Sequence, residues 1–174
     1  MKQTLKNWFA ALLLAVPMSA AVASGGHANY EKVDLDLRDQ VSLQHGAQIF
    51  TNYCLSCHSA SGMRFNRLKD IGLTEDEIKK NLMFTTDNVG DVMVAAMDPK
   101  DASKWLGAPP PDLTLIARSK GADYLYAYMR GFYKDPTRPN GWNNTVLAGA
   151  SMPHPLWEQQ GIQAVELDAN GQPV

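Results

Sequence analysis

The residues with the clearest chemical purpose are Cys54-Leu55-Ser56-Cys57-His58. Two thiols at i and i+3 lie on one side of a helical turn, and a histidine follows at once. That is the attachment pattern for a c-type haem: each thiol adds to one porphyrin vinyl group, and the histidine supplies the proximal axial ligand. A thiolate-rich zinc site is excluded, because the chain has only two cysteines and four histidines. A thioredoxin-like pair needs a strand leading into the turn, whereas the residues before Cys54 read as helix. A plain disulfide would satisfy the thiols but leave His58 without a role.

A haem that only carries electrons needs a second axial ligand. Ala150-Ser151-Met152-Pro153-His154-Pro155-Leu156-Trp157 offers two. Met152 follows a loop and is pinned by a proline, and its soft thioether favours reduced iron and a closed site. His154 is the rival, and bis-histidine ligation would lower the potential. His45 reads as a surface residue, and Met83, Met93 and Met97 as core filler.

These groups must be positioned. From Ser42, taken as an N-cap, Leu43, Ala47, Ile49, Phe50 and Tyr53 recur at helical spacing and carry the cysteines into place. Thr74 and Glu77 form a capping box for a short helix toward Leu82. Trp105-Leu106-Gly107-Ala108-Pro109-Pro110-Pro111-Asp112-Leu113 is a stiff extended run, with Pro110 and Pro111 suited to wall an apolar cofactor. Leu113 to Arg118 and Asp123 to Arg130 read as two helices separated by Gly121, and Arg138 to Trp142 as a turn. Ser24 to Asp39 is polar and wraps the surface. The expected fold is mostly α, a cytochrome c-like helical domain wrapped around one covalent haem, with long irregular loops.

The 174 residues and 45% hydrophobic content suit one domain with a real core. A net charge of -2 argues against non-specific nucleic-acid binding. Residues 1–24 read as a cleaved secretion signal: Lys2 and Lys6, an apolar Trp8–Val16, then Ala21-Val22-Ala23. The apolar part is shorter than the roughly 20 residues of a membrane span. Residues 25–174 would then be a periplasmic domain, in the compartment where bacterial haem c is attached.

Taken together, Ser42-Leu43-Gln44, the Cys54–His58 motif, Gly107-Ala108-Pro109-Pro110-Pro111-Asp112-Leu113, Gly141-Trp142-Asn143-Asn144 and Met152-Pro153-His154 resemble the bacterial cytochrome c1 family. The resemblance runs from about Asp34 to the end. It implies thioether links at Cys54 and Cys57, with His58 and Met152 as the axial pair. It also implies propionate contacts from an Arg-x-Arg pattern, here Arg118-Ser119-Lys120, with Tyr124 downstream. Lysine lacks the bidentate fork, so Arg118 and Lys120 both stand for that role. Family members end in a single membrane-spanning helix, whereas this sequence closes on the polar Asp168–Val174 stretch, which reads as a fragment of a longer product, favoured by the retained leader, or as a truncated variant. Membrane attachment would come through the complex or through that missing anchor.

The implied function is electron transfer within a quinol:cytochrome c oxidoreductase, on the periplasmic side of the inner membrane. Electrons would come from a Rieske iron–sulfur protein beside cytochrome b, and pass to a soluble cytochrome c. The chain would be an electron carrier rather than an enzyme on its own. A free periplasmic cytochrome shuttle is the first alternative. A haem sensor or enzyme with an open distal site is the second.

Overall fold

The computed structural model describes residues 29–166 and 168–170. The expected secretion signal lies outside the described residues. Helix α1, Gln40–Ile49, starts one turn earlier than the Ser42 cap predicts. Asp39 is the cap, and its carboxylate accepts the Ser42 N–H at 3.1 Å. Aspartate and serine cap equally well, so two candidates three residues apart gave the same local signal. The helix then widens into a π-helical turn, Phe50–Cys54. Buried Thr51 aids this by donating its hydroxyl hydrogen back to the Ala47 and Gln48 carbonyls, at 3.1 and 3.2 Å. Leu55 N–H closes the wide turn on Phe50 O at 3.0 Å.

Leu55, inside the motif, is also a core residue. It is buried with Ala60, Phe65, Ile78 and Met93, and Phe50, Leu68, Leu73, Met83 and Val89 pack around them. Strand β1, Ala60–Arg64, pairs antiparallel with β2, Val92–Met93, through an irregular register. A 3₁₀ segment, Phe65–Ile71, leads to α2, Glu75–Asn81. The capping box at its start is present as read: Thr74 accepts from Glu77 N–H, and the Glu77 carboxylate takes the Thr74 N–H. Met83 and Met93 act as filler, and His45 is exposed.

Helix α3, Pro99–Leu106, was not anticipated. Asp98 caps it, Pro99 opens it, and Gly107 at φ 80 ends it. Trp105 therefore sits on a helix and is 68% exposed, rather than lying in an extended run. Only the residues from Ala108 onward, with the three prolines, lack helix and strand. Helices α4, Ile116–Lys120, and α5, Ala122–Arg130, flank Gly121, as the breaker implies. Leu113 and its neighbours form a turn instead of opening α4. The N-terminal polar segment is fastened to α5, where Asp123 takes the Lys32 ammonium at 2.7 Å and the Val33 N–H at 2.9 Å.

Two further strands follow, β3, Phe132–Lys134, and β4, Trp142–Asn144, paired antiparallel with Tyr133 opposite Asn143. A short helix α6, Trp157–Gln160, follows. Helix dominates, as expected. The four strands were missed because each is too short to show an alternating period. Among the described residues, no helix is long and apolar enough to cross a membrane.

Candidate haem site

Cys54 closes the π-helical turn, and the Cys57 and His58 N–H groups both donate to its carbonyl, at 3.1 and 2.8 Å. The motif is therefore one continuous turn, with the two thiols free and half-buried. Burial, and then the neighbouring Cys57, push the Cys54 thiol above its usual pKa, so it stays protonated at neutral pH. His58 is buried. Its Nδ1 lies 2.8 Å from the Pro111 carbonyl oxygen, which can only accept. Nδ1 therefore carries the proton, and Nε2 keeps its lone pair for a metal.

The proline run is stitched alongside the residues after the motif. Leu113 N–H donates to Ser59 O at 2.7 Å, and Gly62 N–H to Thr114 Oγ1 at 2.9 Å. The Asp112 carboxylate accepts the Ser61 hydroxyl and N–H, at 2.6 and 2.8 Å, and the Thr114 N–H at 2.8 Å. The Ser61 side-chain bond, foremost among these, holds Asp112 far below the ordinary carboxylate range. Pro111 reaches His58 through its carbonyl, and Pro110 beside it is half-buried.

In the second half of the chain, Met152 is half-buried, and its Sδ accepts a hydrogen bond from the Tyr128 hydroxyl at 3.6 Å. Its loop is held from beneath by the turn and strand that precede it. Arg138 donates to Gly149 O at 2.7 Å, and Asn140 to Ser151 O at 2.8 Å. Asn143 Oδ1 accepts Gly149 N–H at 2.8 Å. Asn144, fully buried, donates to Tyr128 O and accepts from Val146 and Leu147 N–H. His154 is placed differently. It is 2% exposed, stacked on Phe132 at 4.9 Å with Trp142 edge-on at 5.2 Å. Its Nδ1 accepts the Leu156 N–H at 3.4 Å, which puts the proton of the neutral ring on Nε2. Burial lowers its pKa and keeps it neutral.

A sequence model of the Cytochrome C1 family matches residues 32–168. The chain belongs to the cytochrome c1 family. It is 46% identical over 165 residues to cytochrome c1 of Allochromatium vinosum, covering 94% of this chain and 67% of that one. It is 30% identical to cytochrome c1 of Rhodospirillum rubrum over 76% of this chain and 58% of that one. A Nitrosomonas europaea protein named ammonia monooxygenase gamma subunit is 48% identical, over 89% of this chain and 67% of its own length. That name denotes another enzyme, whereas the family match places this chain among the cytochromes c1. Cytochrome c1 proteins carry covalent haem c and transfer electrons, and so does this one. The donor set fits: two free thiols on one turn, an imidazole with its Nε2 lone pair available, and a thioether.

Of the expected propionate residues, Lys120 and Tyr124 are in contact. Lys120 Nζ lies 5.4 Å from the centre of the half-buried Tyr124 ring. Tyr124 stacks on Tyr128 at 6.0 Å, so the group runs on to Met152. Arg118 is exposed on the same short helix as Lys120. Sequence reasoning missed Tyr128, Arg138, Asn140 and Asn144 as site residues. Only Tyr128 left a signal: it lies at i+4 from Tyr124 on one helix face.

Proposed function

We propose that residues 25–174 form a periplasmic domain wrapped around one haem c, with Cys54 and Cys57 as thioether links and His58 and Met152 as axial ligands. The observation that carries this reading is the His58–Pro111 bond, which ties up Nδ1–H and leaves Nε2 to face a metal. Met152 is favoured over His154 because its sulfur keeps a free lone pair on a half-buried side chain, whereas His154 is buried as a ring packed against Phe132 and Trp142. Tyr124 with Arg118 or Lys120 would hold the propionates, and Pro110 and Pro111 would wall the ring.

Haem c supplies a one-electron couple, and its potential follows the axial donors. The chain's own part is to hold those donors fixed, so that little reorganises between redox states. Within a quinol:cytochrome c oxidoreductase beside cytochrome b, this chain would take its electron from a Rieske protein and deliver it to a soluble cytochrome c. Such encounters are small and transient. The bacterial cytochrome c1 relatives imply the periplasmic side of the inner membrane, reached by export under residues 1–24.

Near-infrared and redox-difference spectra of the periplasmically expressed protein test the ligand set. A thioether-to-iron charge-transfer band is expected, lost in Met152→Ala. Carbon monoxide should not bind the reduced protein at neutral pH. Ready binding would place the chain among haem sensors or enzymes instead.

A further inference from the structure

We propose that Tyr128 is a positioning residue that sets the donor strength of the Met152 sulfur, and so raises the redox potential of the site. The inference rests on Met152 being the distal ligand.

Three observations carry it. The Tyr128 hydroxyl stands 3.6 Å from Sδ of Met152. A thioether sulfur has two lone pairs and is a weak acceptor, so one pair can take the O–H while the other faces a metal. The phenol is not free to wander. Its ring is stacked on Tyr124 at 6.0 Å and 13°, and meets Phe132 edge-on at 5.2 Å and 74°. Finally, the backbone of Tyr128 and the loop ahead of Met152 are tied by one side chain. Asn144 donates to Tyr128 O at 2.8 Å and accepts from Val146 and Leu147 N–H at 2.8 and 3.2 Å. Donor and acceptor are thus held in register by a buried residue that touches neither the sulfur nor the hydroxyl.

The direction of the effect follows from the electron demand of the metal. A hydrogen bond to sulfur withdraws density from it. Oxidised iron depends on that density more than reduced iron does, so the bond disfavours the oxidised state. Removing the bond lowers the potential. Neutral hydrogen bonds contribute roughly 0.5–1.5 kcal/mol net, and a sulfur acceptor sits at the weak end of that range. Only the difference in bond strength between the two redox states moves the potential, so the whole bond is the ceiling: a change of up to about tenfold in the equilibrium constant for electron exchange, or about 59 mV for one electron.

The test is Tyr128→Phe, which keeps the ring contacts and deletes only the hydroxyl. Expected are a lower midpoint potential and a thioether-to-iron band that persists but moves in energy. Tyr133→Phe removes a hydroxyl from a buried ring of β3 and should move neither quantity. Placing meta-fluorotyrosine at position 128, a stronger donor, should raise the potential. A Tyr128→Phe protein with the potential and band of the wild type would overturn the proposal while leaving Met152 as ligand. If Met152→Ala keeps the wild-type band, the ligand assignment itself is wrong, and this inference goes with it.

Discussion

Individual side chains in this molecule work chiefly by deciding where single protons sit. Pro111 does so for His58: its carbonyl holds the proton on Nδ1, and as a backbone group it is not deleted by a side-chain substitution at position 111. Asp112 does the converse. Three donors from Ser61 and Thr114 converge on its carboxylate, so it stays ionised far into acid. Its folded-state pKa lies below the unfolded value of 3.8. The stability it contributes is therefore present above 3.8 and is lost as pH falls through the folded value. Asp112→Asn should be less stable than the wild type from neutral pH down to that range, with the gap closing in stronger acid. Urea unfolding of the two proteins across the acid range reads this directly. A gap that widens as the pH falls through this range would contradict the assignment.

At the scale of elements, the Cys54–His58 motif is built on a helix and the Met152 segment on a loop. Helix α1 delivers Cys54 by continuous backbone bonding, and Leu55 fixes the turn to the core. The Met152 segment has no such ladder. It depends on side chains of the preceding turn and strand reaching its backbone: Arg138, Asn140, Asn143 and Asn144. β3 and β4 are short, yet they set the position of Asn144, opposite Phe132. Close packing at their start allows little adjustment. A Cβ on Gly131 would come within 2.7 Å of Thr145 Oγ1 and 3.0 Å of Ala127 O. Asn144→Ala strands the Val146 and Leu147 N–H groups and leaves the Tyr128 carbonyl only its bond from Gly131 N–H, so a loss of about 2–3 kcal/mol is expected in denaturant unfolding. The thioether-to-iron band should weaken with it, because the loop loses its tie to Tyr128. Full retention of both stability and band would show that the other three side chains suffice.

For the molecule as a whole, the apolar core lies behind the proximal motif, while the distal side has its own set of stacked rings. Phe65 and Ile78 are wholly buried in the first, and Phe132, Trp142 and His154 form the second. Hydrogen bonds from the proline segment to Ser59, Ser61 and Gly62 join the stretch leading into the distal half to the motif side. A cofactor bonded to Cys54 and Cys57 would hold the proximal turn and the distal loop together at no cost in ligand concentration. With Cys54→Ala and Cys57→Ala together, haem should no longer stay with the chain on a denaturing gel. The melting temperature should then rise with added haem, as mass action requires of a dissociable ligand, whereas the wild type should not respond.

The sequence by itself determined the chemistry. Two thiols and a histidine in one turn are a local pattern, and so are the Thr74 capping box and the Gly121 break. Each is settled by residues within a turn or two of one another, which is why each could be read directly. Local signals failed where two neighbours competed, as with Asp39 and Ser42, or where an element was too short to show a period, as in β1 to β4. The tertiary structure alone decided which atom of each group is free to act. The His58 tautomer depends on a carbonyl 53 residues away, the Met152 sulfur on a hydroxyl 24 residues back, and the burial of His154 on rings from two strands. Hydrogen bonds and ring contacts between distant segments form only when the chain folds back on itself, so no window of sequence contains them.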